Sequence, residues 1–167
     1  GTFQEIEGAI PGEYNTLSIA VADVNGDGLI DIIVGNDLEP NQLLLNRGNG
    51  IFEEKVDALP SSDVYDTTSV AVGDVDGDGH PDLLFGNYGG PNQLLLNRGD
   101  GTFKETADMI PSETLDTEAV AFADFNNDGH ADFVIAPNSD EPFYISLGNG
   151  DGTFTTLSSD WHDGNEV

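Results

Sequence analysis

The stretch DVNGDGLID, residues 23–31, carries oxygen-bearing side chains at alternate positions: Asp23, Asn25 and Asp27, with Asp31 closing the series. DVDGDGHPD at 74–82 repeats it with Asp74, Asp76, Asp78 and Asp82, and DFNNDGHAD at 124–132 with Asp124, Asn126, Asp128 and Asp132. The three loops start 51 and 50 residues apart. Numbered from the first Asp, the donors stand at positions 1, 3, 5 and 9, with Gly28, Gly79 and Gly129 at position 6. Alternate side chains in a tight loop can turn inward around one point, and glycine permits the sharp bend. The backbone carbonyl of position 7 (Leu29, His80 and His130) can join them. Each loop then offers five oxygens before water, or six if one carboxylate is bidentate.

This donor set selects its ion. The chain has no Cys, and His enters the loops only at position 7. Zinc and copper are poorly served by hard oxygens alone. Six to eight oxygens at adjustable distance suit Ca²⁺, whereas Mg²⁺ demands stricter octahedra and holds its water. The expectation is about three Ca²⁺ ions, mainly structural in role. An EF-hand needs a bidentate Glu at position 12; here Val34, Phe85 and Ile135 stand there, so the loop is a hairpin-borne relative. The competing reading is an acidic, solvated turn, and threefold recurrence at one spacing argues against it. With ions about tenfold above Kd, each site would add about 1.4 kcal/mol, or about 4 kcal/mol over three.

The loops must be held by the elements around them, and these repeat too. NQLLLNRGNGIF at 41–52 and NQLLLNRGDGTF at 92–103 are followed by the weaker FYISLGNGDGTF at 143–154, while SIAVAD, SVAVGD and AVAFAD precede the loops. A period near 50 indicates a propeller, solenoid or array. Each unit reads as four short strands. In the first, Ile19 and Val21 form a large face against Ala20 and Ala22. Val70 and Val72 oppose Ala71 and Gly73 in the second copy, and Val120 and Phe122 oppose Ala121 and Ala123 in the third. One large and one small face let stacked sheets interdigitate. DIIV at 31–34 and QLLL at 42–45 are continuous apolar runs, expected for strands covered on both faces. FEEKV at 52–56 is more polar, as suits an edge strand. Asn49-Gly50, Asp100-Gly101 and Asp151-Gly152 predict type I′ hairpins.

The predicted fold is therefore all-β: propeller blades of four antiparallel strands, about three of them, radially stacked, with an open stack as the alternative. The whole chain, 1–167, reads as a single repeat domain, with repeats at about 4–54, 55–105 and 106–157. Residues 158–167 would begin a divergent fourth repeat. GTF at 1–3 matches GTF at 101–103 and 152–154, so the chain is expected to open on the last strand of a preceding unit. Three blades fall short of the usual ~4–8. Either the chain is an excerpt of a longer repeat protein, or it completes its stack by self-association.

Composition limits the partners. The chain carries 32 acidic and 4 basic residues, a formal charge of −28, which disfavours nucleic acid and anionic membrane surfaces. Three Ca²⁺ ions would bring that charge only to −22. No run of 18 apolar residues predicts membrane insertion, no signal peptide is visible, and a chain beginning at Gly1 without Met reads as processed or excised. The chain is not expected to be an enzyme: it has no Cys nucleophile, no GxSxG and no phosphate loop.

The motifs DVNGDGLIDIIVGN, DVDGDGHPDLLFGN and NQLLLNRGDGTF resemble the FG-GAP/VCBS repeat family, which includes the integrin α-subunit propeller and many extracellular proteins. The resemblance spans about residues 1–157. It implies bladed propellers with Ca²⁺ in the loops joining the first two strands of a blade, so the donors above become the Ca²⁺ ligands. It also implies an extracellular or cell-surface setting and a role in recognition or adhesion, with a protein or glycan as partner. VGN at 34–36 and FGN at 85–87 occupy the family's Phe-Gly element, and the third copy departs from it with IAP at 135–137. Alternatives are a lectin-type carbohydrate-binding propeller, a structural repeat assembling into an oligomer or filament, and an accessory domain of an enzyme.

Other features are read structurally. The RGD at 98–100 matches Arg47-Gly48-Asn49 in its sister repeat, so it reads as a hairpin tip before it reads as an adhesive tripeptide. His80 and His130 read as exposed side chains beside the carbonyl position. Tyr65, Tyr88, Tyr144 and Trp161 read as blade packing rather than a sugar platform, and His162 carries no role.

Overall fold

The computed structural model describes residues 7–12, 14–60, 65–106, 109–110, 116–138 and 143–157. The readings at 1–3, Trp161, His162 and the fourth repeat lie outside the described residues.

Among the described residues, twelve strands form three four-stranded antiparallel sheets, each in simple sequence order. The first blade is β1 (Thr16–Ala22), β2 (Asp31–Asn36), β3 (Gln42–Asn46) and β4 (Phe52–Glu54). The second is β5 (Asp66–Gly73), β6 (Asp82–Tyr88), β7 (Gln93–Asn97) and β8 (Phe103–Glu105). The third is β9 (Thr117–Ala123), β10 (Asp132–Pro137), β11 (Tyr144–Gly148) and β12 (Phe154–Leu157). No helix occurs among the described residues, and no sheet is closed on itself. The blades face one another in succession: β1 lies against β5, and β5 against β9.

Packing follows the large-and-small rule. Ala20 and Ala22 of β1 meet Val70 and Val72 of β5 at a first core built on Ile33, Leu43, Leu83 and Phe85. Ala71 on the other side of β5 joins Val120, Phe133 and Ile135 in a second core. Phe133 and Phe154 meet edge to face there, ring centroids 4.8 Å apart. Full burial of one such side chain contributes about 1.5–3 kcal/mol, so each core lies between blades and neither blade can hold it alone. Among the described residues the first blade's large face meets no such partner: Ile19 is 63% and Val21 58% exposed.

One turn expectation needs correction. At Asn49-Gly50 both residues have positive φ, 55° and 75°, and Ile51 N–H donates to Gly48 O at 3.1 Å, as type I′ requires. At Asp100-Gly101 and Asp151-Gly152 only the glycines have positive φ. There the Asp carboxylate accepts both the N–H and the hydroxyl of Thr102 or Thr153. That local closure replaces the type I′ geometry, and Ile51 has no hydroxyl with which to offer it.

Candidate metal centres

All three acidic loops sit where expected, between the first and second strand of each blade. Position 1 organises the loop as an acceptor. Asp23 Oδ1 takes the N–H groups of Gly26 and Asp27 at 2.8 and 3.1 Å, and its Oδ2 takes that of Gly28 at 2.8 Å. Asp74 accepts from Gly77 and Gly79 in the same way, and Asp124 from Asp128 and Gly129. Position 5 accepts the N–H of position 7: Leu29 and His80 at 2.8 Å, His130 at 2.9 Å. The bends need positive φ twice per loop. Position 6 supplies Gly28, Gly79 and Gly129; position 4 supplies Gly26, Gly77 and Asn127, the last at φ 60°. Position 4 was not singled out from the sequence. Its signal is the set Gly, Gly, Asn, the residues that enter the left-handed region most readily.

Position 9 anchors the loop. Asp31, Asp82 and Asp132 are fully buried, and each carboxylate bridges two backbone amides. One oxygen takes the N–H of position 2, from Val24, Val75 or Phe125, at 3.1, 2.8 and 2.7 Å. The other takes the N–H of Asn46, Asn97 or Gly148, each at 2.8 Å. These aspartates therefore bolt the loop to the third strand. Each carboxylate oxygen retains a lone pair for a cation. Burial pushes the Asp82 carboxyl up to about 6, against the lowering effect of its two amide partners, and burial raises Asp31 as well.

The loops differ at position 3. In the second, carboxylate oxygens of Asp74, Asp76 and Asp78 all lie within 4.8 Å of one another. Burial raises the Asp76 carboxyl, and the facing charges of Asp78 and Asp74 add to it. In the first and third, the amides of Asn25 and Asn126 donate to Asp27 and Asp128 at 3.0 and 2.8 Å. The N–H of His130, with that amide, holds Asp128 below the usual carboxylate range. The ion pair seen among the described residues, Arg47 with Glu53 at 2.8 Å, lies on the blade edge, outside the loops. Hard oxygens without a balancing side-chain cation are a donor set for a divalent ion.

The next blade leans on the first and second loops. Asn97 Nδ2 donates to Val24 O at 3.0 Å, and Gly152 N donates to Val75 O at 3.2 Å. Lys55 Nζ reaches Asp100 O at the neighbouring hairpin tip. Gly99 of the RGD packs under the half-buried His80 ring, so close that a Cβ there would stand 2.5 Å from Nε2. Asp100 is engaged by Thr102, and that pair of bonds lowers its pKa. The tripeptide is thus a built hairpin tip. His130 is exposed, as expected; His80 is not fully so.

The FG-GAP-like repeat family matches three times in succession, at residues 23–85, 74–135 and 124–166. The chain belongs to that family. It is 37% identical over 82 residues to human cartilage acidic protein 1, covering 47% of this chain and 12% of that protein. It is 34% identical over 83 residues to integrin alpha-4 of Xenopus laevis, covering 43% and 8%. Integrin alpha-PS5 of Drosophila melanogaster is 34% identical over 86 residues, covering 45% and 9%. The chain thus spans about an eighth or less of these relatives. No helix among the described residues is long and apolar enough to cross a membrane.

Proposed function

We propose that this chain is a calcium-binding, extracellular propeller segment that presents variable loops to a protein or glycan ligand. The observation that carries the reading is the convergence of Asp74, Asp76 and Asp78 in a loop whose backbone layout recurs in all three blades. The family and its integrin relatives favour a recognition or adhesion role at the cell surface or in the matrix. Calcium's part would be structural. Asp23, Asn25, Asp27, Asp31 and the Leu29 carbonyl would hold the first ion. Asp74, Asp76, Asp78, Asp82 and the His80 carbonyl would hold the second, and Asp124, Asn126, Asp128, Asp132 and the His130 carbonyl the third. Bound there, a divalent cation neutralises facing carboxylates and stiffens the ends of the blades. The chain does this as a binding module, not as an enzyme.

Calorimetric titration with calcium tests the reading directly. Three equivalents should bind, and a chelator should lower the melting midpoint. An unchanged midpoint with no binding heat would overturn the calcium assignment. A glycan array run in calcium separates a lectin from a protein-binding module, since only the lectin would light specific sugars.

A further inference from the structure

The joint between blades is built twice, with the same groups each time. Ser18 Oγ accepts from Val70 N at 3.2 Å, and Ser69 Oγ accepts from Val120 N at 3.1 Å. Asn41 Nδ2 donates to Thr67 Oγ1 at 2.9 Å, and Asn92 Nδ2 donates to Thr117 Oγ1 at 3.0 Å. Asn36 and Asn87 hold these asparagines in place, donating their backbone N–H to the Asn41 and Asn92 side-chain oxygens at 3.0 and 2.8 Å. Gly35 and Gly86 allow the close approach. A Cβ on either would stand 2.7 Å from Thr67 Cγ2 or 2.8 Å from Thr117 Cγ2, inside any normal carbon contact.

The third blade replaces every one of these groups. Ala119 stands for the serine, Ala136 for the glycine, Pro137 for the first asparagine and Phe143 for the second. The register is unchanged: Ala136 pairs with Ala119 as Gly35 pairs with Ser18 and Gly86 with Ser69. At these four positions the third blade thus lacks the hydroxyl acceptor and the amide donor and carries a methyl where the joint needs none. Phe143 is 67% exposed where the other blades offer an amide. The first blade, by contrast, keeps the receiving half. Its Thr16, Ile19 and Val21 occupy the places of Thr67, Val70 and Val72, and this face is open.

We propose that the open face of the first blade is an interaction surface for a four-stranded blade bearing the Ser, Gly and Asn set, and that it rejects the third blade of a second copy. A second copy docked head to tail would set the Ala136 methyl against Thr16 and leave the Thr16 hydroxyl without its amide. The partner is instead a blade of the kind the first two exemplify, continuing the joint already present on the other side of β1. Ala119, Ala136, Pro137 and Phe143 are specificity-determining residues that keep the two open faces from pairing.

Restoring the joint tests this. The full chain carrying Ala119→Ser, Ala136→Gly, Pro137→Asn and Phe143→Asn should associate in calcium buffer with a Kd at least about tenfold below that of the parent. Adding Ile19→Asp should return it to monomer, read by sedimentation velocity. Circular dichroism and a melt establish that each variant folds. Should the fourfold variant unfold, Ala119→Ser with Ala136→Gly changes only solvent-accessible positions and should shift association in the same direction. A parent that self-associates through Ile19 as tightly as the restored chain would overturn the proposal. So would a folded restored chain that stays monomeric.

Discussion

Asp76 is where the three loops differ in charge. Asn25 and Asn126 hold the same position in the others. The second loop should therefore bind calcium most tightly. Asp76→Asn should weaken that site several-fold and bring it level with its neighbours, as a calorimetric titration would resolve. Asp74→Ala should remove one ion from the stoichiometry. Asp82 gives a pH signature. Its carboxyl titrates near 6 in the fold, above its ordinary value, so protonation favours the native state. Without metal, that contribution to stability is present at low pH and is lost as pH rises through 6. Calcium requires the ionised form, so proton and ion compete. In chelator, the melting midpoint should rise between about pH 7 and about pH 5, and the calcium-induced shift should shrink over the same interval. The place of the three loops, between the first and second strand of each blade, was legible because their residue types recur at one spacing. The anchoring role of Asp31, Asp82 and Asp132 was not. It depends on which amide of a strand some fifteen residues away comes to face the carboxylate, and only folding brings that about.

At the scale of elements, the tightest constraint is the glycine of the second strand. Gly86→Ala would force its new methyl against Thr117 Cγ2 and Val120 Cγ1, both at 2.8 Å. Overpacking of this kind costs about 1–3 kcal/mol, and a denaturant melt should show it as a lowered midpoint. The strands were readable because their apolar runs and alternating faces match their final burial; β2, for example, is buried along nearly its whole length. The hairpins were only partly readable. Asn49-Gly50 turned as its dipeptide predicts, whereas Thr102 and Thr153 captured the aspartates of the other two. A threonine two residues beyond an Asp was the available signal. Sequence patterning also ranks the faces of a strand without saying which will find a neighbour, and so Ile19 and Val21 read as a large stacking face yet stand in the open.

The whole molecule carries a charge of −28, and three bound calcium ions would leave most of it. Raised sodium chloride should stabilise the chelated protein by screening this repulsion, and should do so less once calcium is bound; melts across a salt series would show the converging curves. The contacts by which each blade touches the loop before it have a mechanical consequence. Asn97 grips Val24 at the rim of the first loop, and Gly152 grips Val75 at the rim of the second. Tension applied along the stack loads those rims together with the serine, asparagine and core contacts between blades. With calcium seated there, the seams would act as riveted hinges, and an optical trap should find them yielding at higher force than in chelator.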